Sequence, residues 1–92
     1  MTIRWALPAD LPALERLAAL DSKRLAPGPL LVAEVDTELW AAFSVLDRIA
    51  VADPFRPSAD LVGLLSQRAL QIREIRPPSR VLRLEPLLAR LR

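Results

Sequence analysis

The side chains in this sequence that can do chemistry are carboxylates, guanidinium groups, amines and hydroxyls, because the 92 residues include no Cys, His or Tyr. That removes thiolate and imidazole nucleophiles, the usual zinc ligand sets and the phenol as a general acid, and no metal site is expected. What remains centres on residues 49–76, IAVADPFRPSADLVGLLSQRALQIREIR: a short apolar strand, a proline-hinged turn and the longest amphipathic helix pattern present. Such a turn offers free N–H groups and the positive end of the helix dipole, and so attracts anions. Arg56 brings a cation to it, while Ser58 is placed to cap the helix and Asp60 puts a carboxylate in its first turn. These two residues are expected to fill the anion site from within, with the cap contributing roughly 0.5–2 kcal/mol. Glu34 is the one charge inside the two apolar runs of strand length at residues 30–35 and 39–46. Carboxylates serve more often on solvated strand faces and edges than as bases, and Glu34 is read that way first and as a general base second.

The elements that must position these residues follow from pattern. Ile3, Trp5 and Leu7 alternate with Thr2, Arg4 and Ala6, which reads as a strand with one buried face. Pro8 ends it, Asp10 is a helix N-cap candidate, and Pro12 is tolerated in a first turn whose amides lack helical acceptors. Leu14, Leu17 and Ala18 then line a helical face. The break DSKRLAPGP precedes two apolar runs of strand length, residues 30–35 and 39–46, whose short polar connection Asp36, Thr37, Glu38 predicts an antiparallel hairpin. Residues 49–52 form a small-residue strand stopped by Asp53 and Pro54. The spacing of Leu61, Leu64, Leu65, Ala69, Ile72 and Ile75 predicts the second helix. Pro77 and Pro78 end that helix. Residues 81–85 can add a strand, while Leu84, Leu87, Leu88 and Leu91, with Pro86 near a helix start, suit a short amphipathic helix; the helix is preferred.

The fold class expected is therefore α+β: a small mixed or antiparallel sheet of about four strands with two main helices, in the order β-α-β-β-β-α plus a short last segment. Residues 1–76 make one unit, and residues 77–92 a proline linker and a basic, leucine-rich tail. A chain this short holds one small aliphatic core, since 52% of its residues are hydrophobic but only 4% aromatic. With no Cys, packing alone must stabilise it. The opening residues lack a secretory signal pattern and no window approaches the roughly 20 apolar residues of a membrane span, so a cytoplasmic location is expected. The net charge of +2 is uneven: Arg73, Arg76, Arg80, Arg83, Arg90 and Arg92 face only Glu74 and Glu85 in the last stretch. That stretch has no aromatic residue, which argues against a nucleic-acid partner.

Three stretches carry a resemblance to the GNAT family of N-acetyltransferases. TIRWALPADLPALERL resembles its opening strand and first helix; LLVAEVDTELWAAFSVL resembles its second and third strands, with Thr37 in place of a common Gly; and IAVADPFRPSADLVGLL resembles its fourth strand, acyl-CoA loop and third helix. The resemblance covers about residues 1–76. It implies a partial acyl-CoA N-acyltransferase fold in which Phe55, Arg56, Ser58, Ala59, Asp60 and Leu61 lie at the position of the CoA pyrophosphate site.

The family's spaced glycines do not match. Pro57 has no N–H, Ser58 and Ala59 bring side chains where backbone should approach phosphate closely, and the downstream strands and the Tyr that commonly serves as general acid are missing. Two expectations follow. The first is a truncated GNAT-like domain without acetyl transfer, serving as a binding or assembly module, with one sheet edge and helix face to be covered either by homodimerisation or by the leucine-rich tail. The second is a minimal enzyme in which Arg56 and the amides of Ala59 to Leu61 hold acetyl-CoA or CoA, and Glu34, Asp53 or a water deprotonates an amine.

Overall fold

A computed structural model of the chain describes residues 1–26, 28–72 and 83–84. Strand β1 (Thr2–Trp5) leads through a 3-10 turn at Pro8–Asp10 into helix α1 (Leu11–Leu20). Strands β2 (Gly28–Val35), β3 (Glu38–Ser44) and β4 (Ala50–Ala52) follow, then helix α2 (Ala59–Ile72) and a two-residue strand β5 (Arg83–Leu84). The first four strands form an antiparallel sheet in the order β1-β2-β3-β4, and β5 pairs with the start of β2. The mixed α+β class and the element order are those expected from the patterning.

Strand β2 sits at the centre and is buried on both faces from Pro29 to Ala33. Because side chains alternate along a strand, its residues divide between two cores. Leu30 and Val32 join Ala42, Val51, Leu14, Leu17 and Ala18 beneath α1, while Leu31 and Ala33 join Ala41, Phe43, Leu65 and Ala69 beneath α2. The sheet is thus the middle layer of three. Ile3 and Trp5 pack on the α2 side, leaving Arg4 on the α1 side.

One irregularity breaks the alternation. Ala33 pairs with Ala41, but Glu34 pairs with Leu39, so Trp40 is an extra residue on β3. This bulge moves Leu39 to the α1 core although Ala41, two residues on, lies in the α2 core. It also sets Trp40 beside the end of β4, where the Trp40 carbonyl accepts from the Asp53 amide at 3.0 Å.

The boundaries differ from the patterning in instructive ways. β2 begins at Gly28 rather than Leu30, since Gly28 takes φ +91 and lets the chain enter the sheet immediately after the break. β3 ends at Ser44, whose carbonyl accepts from the Arg48 amide at 2.8 Å and closes the connection to β4. Arg83 and Leu84 take the strand alternative, pairing with Pro29 and Gly28, so these two residues belong to the sheet. The rest of residues 77–92, the predicted linker and tail, lies outside the described residues, as do Ile75 and the predicted end of the second helix.

The β2–β3 hairpin turns at Asp36 and Thr37 with φ of 51 and 67. Two positive values suit the right-handed twist of the flanking strands but strain a β-branched residue. Replacing Thr37 with Gly is expected to raise the unfolding free energy by about 1 kcal/mol, measured by urea denaturation, because the left-handed penalty is removed at the cost of some unfolded-chain entropy. A lower urea midpoint for Thr37→Gly would contradict this account of the turn.

Candidate functional site

The loop at residues 53–58 joins β4 to α2, and its backbone is consumed by its own contacts. The buried Asp53 carboxylate accepts from the Phe55 amide at 2.8 Å, and the Asp53 carbonyl accepts from the Arg56 amide at 3.2 Å and the Ser58 hydroxyl at 3.0 Å. The Ser58 amide donates to the Arg56 carbonyl at 2.8 Å. Pro54 and Pro57 have no N–H. Every N–H from Asp53 to Ser58 is therefore bonded to protein. Ser58 stands immediately before α2 and its carbonyl accepts from Val62 at 3.1 Å, while its hydroxyl is directed to Asp53. The sequence expected that hydroxyl to cap the helix; the tight loop draws it back instead. Asp60 lies exposed in the first turn of α2.

Arg56, the cation of the site, is engaged as well. Its Nη2 donates to Glu38 Oε1 and Oε2 at 3.2 and 3.3 Å, its Nε lies 3.9 Å from Asp53 Oδ2, and its guanidinium sits 5.2 Å from the centre of the Trp40 ring. The bulge at Trp40 makes this stacking possible. Around the first turn of α2 an open cleft of about 370 Å3 is lined by Pro54, Arg56, Pro57, Ser58, Ala59 and Asp60. The carboxylates of Glu38 and Asp53 already flank its single guanidinium, and Asp60 adds a further carboxylate to the lining. Leu61 is half-buried in the α2 core, and Phe55 stands 81% exposed beside the loop.

The two carboxylates considered as bases have other partners and are not brought together. Asp53 organises the loop. Glu34 faces α1 and binds Arg4, whose Nε is 3.3 Å from Glu34 Oε1. The same guanidinium grips Asp10 through Nη1 to Oδ2 at 2.8 Å and Nη2 to Oδ1 at 3.1 Å, and Nη1 also donates to the Trp5 carbonyl at 3.1 Å. Asp10 was the expected cap of α1. It instead turns back to accept the Leu7 amide at 2.7 Å, because a 3-10 turn precedes the helix and Pro12 has removed one of the amides a cap would reach. The hydrogen bonds from Arg4 hold the Asp10 carboxyl below the usual carboxylate range, aided by the Leu7 amide and opposed by burial. The Arg4 guanidinium is raised above its ordinary value chiefly by its hydrogen bonds to Asp10.

Sequence reasoning missed two groups that bond to the β4 edge of the sheet. The Ile49 carbonyl and Asp53 amide bond to β3, so the backbone of Ala50 and Ala52 faces outward. The Ala52 amide donates to Asp21 Oδ2 at 3.1 Å, Lys23 Nζ donates to the Ala50 carbonyl at 3.2 Å, and Lys23 Nζ lies 3.5 Å from Asp21 Oδ2. Both residues lie in the break after α1, about 30 positions from β4, and no local signal connects them. Nor does any local pattern pair Arg56 with Glu38 or Trp40.

Comparison with protein-family models, with curated proteins and with solved structures finds no match to this chain. Among the described residues no group of three or more Asp or Glu could hold a metal ion, and no helix is long and apolar enough to cross a membrane.

The Arg4–Asp10 pair predicts a pH dependence. A carboxyl whose folded pKa is depressed stabilises the fold fully above its unfolded value of about 4, and that contribution is lost as pH falls through the folded value. In urea titrations Asp10→Asn is expected to be less stable than the parent by about 1 kcal/mol at pH 7, a gap that closes towards pH 2. A gap of equal size at both pH values would show that charge on Asp10 is not its source.

Proposed function

We propose that this chain is a truncated GNAT-like domain that does not transfer acetyl groups and instead serves as a cytoplasmic binding or assembly module, self-associating as a homodimer. The observation that carries the reading is the loop backbone: a pyrophosphate cradle needs unpaired amides, and every N–H from Asp53 to Ser58 already has an acceptor. The state of Arg56 supports it further. A phosphate approaching that guanidinium must displace Glu38 and then sit beside Asp53 and Asp60. Two outward backbone groups of β4, the Ala52 amide and the Ala50 carbonyl, are likewise taken by Asp21 and Lys23 of the chain itself.

The second reading, a minimal acyl-CoA-dependent N-acetyltransferase, draws on the cleft itself and on the first-turn amides of Ala59, Asp60 and Leu61, which lack helical acceptors. Calorimetric titration separates the two. Acetyl-CoA and free CoA are expected to give no binding heat at millimolar ligand. Binding that is lost in Arg56→Ala and strengthened in Asp60→Gly would overturn the proposal. Light scattering across a concentration series tests self-association separately, with a mass that rises to that of a dimer as the expected result and a strictly monomeric mass as the contrary one.

A further inference from the structure

The two edges of the sheet differ in what they leave open. β4 is three residues long, and two of its outward backbone groups are taken by Asp21 and Lys23. β1 has four residues and lies at the opposite end of the strand order. The Ala6 amide donates to the Leu30 carbonyl at 2.9 Å, so by the antiparallel alternation Thr2 and Arg4 also turn their backbone to β2, while that of Ile3 and Trp5 faces outward. The Trp5 carbonyl accepts from Arg4 Nη1 at 3.1 Å. Among the described residues nothing bonds to the Ile3 N–H, the Ile3 carbonyl or the Trp5 N–H. Beside this edge a groove of about 190 Å3 is lined by Ile3 and by Leu64, Gln67, Arg68 and Gln71 of α2. Leu64 is 41% exposed there and gives the groove an apolar wall.

We propose that the β1 edge pairs with the same edge of a second copy, antiparallel about a two-fold axis at Ile3, so that the sheets of two domains become one. This rests on the self-association proposed above and names its surface. An edge whose open groups match themselves under a two-fold rotation suits a second copy of this chain. Two observations fix the register. Centred on Ile3, the pairing exchanges the Ile3 N–H and carbonyl with their symmetry mates, and the Trp5 N–H reaches the Met1 carbonyl of the second copy. Centred on Arg4 instead, the Ile3 N–H would need the Trp5 carbonyl that Arg4 already holds, and two Arg4 side chains would stand directly opposite each other. The Ile3 register sets each Arg4 opposite Thr2. Ile3 packs on the α2 side, so the second copy's Ile3 enters the groove against Leu64, with Gln67, Arg68 and Gln71 at the rim.

Proline at position 3 is a direct test, because the N–H it removes faces out of the sheet. Sedimentation of the full chain is expected to give a dimer that Ile3→Pro converts to a monomer with the far-UV circular dichroism of the parent. A folded Ile3→Pro variant that stays dimeric would overturn the proposal. A second test serves if that variant fails to fold. The chain has no Cys, and Ile3→Cys puts two thiols across the axis with Cα atoms about 5.5 Å apart, within disulfide reach. Under mild oxidation Ile3→Cys is expected to form disulfide-linked dimers at least about tenfold faster than the control Leu70→Cys, a position 52% exposed on α2 and outside the groove. Equal rates in a dimeric protein overturn the β1 assignment and leave the dimer itself standing. A parent that is monomeric across the concentration series overturns the self-association reading and, with it, the surface named here.

Discussion

Everything in this structure depends on β2 being buried on both sides. A strand with apolar residues at consecutive positions, Leu30, Leu31, Val32 and Ala33, cannot leave a face in water, so each face of the sheet must carry a helix. α1 and α2 fill those places, and neither packs on the other's core. For a chain of this size the arrangement divides a modest stock of aliphatic side chains between two thin cores. That explains the dominance of Leu and Ala at the buried positions, since small residues on the strands let each helix approach the sheet closely.

With the apolar residues committed to the cores, the charged ones are used to join segments that are far apart in the chain. Arg4 ties β1 to the entry of α1 and to β2 through Asp10 and Glu34. Arg56 ties the loop before α2 to the start of β3 through Glu38, and Asp21 and Lys23 tie the break after α1 to β4. Partly exposed pairs of this kind contribute little stability one at a time. Their effect is on availability. The cation, the loop amides and two groups of the β4 edge that a ligand or a further strand would need are each already bonded to a neighbour within the domain. The donors of the loop at residues 53–58 thus face inward.

The two faces of the sheet were legible because alternation and helical spacing are local signals: Ile3 and Trp5, the run of residues 30–35, and Leu61, Leu65 and Ala69 each announce a period within a few residues. The hairpin at Asp36 and Thr37 was legible from its length. The bulge at Trp40 was not. An extra residue in a strand costs no apolar period that a short run can show, and only the register against β2 reveals that Leu39 and Ala41 face opposite sides. The cap at Asp10 failed because a 3-10 turn precedes α1 and turns the carboxylate back to the Leu7 amide and to Arg4 on β1.

For the candidate site the division is the same. The sequence by itself determined that no Cys, His or Tyr could act, that prolines at positions 54 and 57 withhold two amides, and that Arg56 and Asp60 stand on either side of Ser58 at a strand-to-helix turn. Those are statements about composition and chain covalency, which need no partner. Only the tertiary structure decided that Arg56 is held by Glu38, Asp53 and Trp40, that Glu34 belongs to Arg4, and that Asp21 and Lys23 bond to β4. Hydrogen bonds and ion pairs act over a few ångströms, and the residues they join here are for the most part 18 to 31 positions apart, so the pairing exists only once the sheet has brought them together.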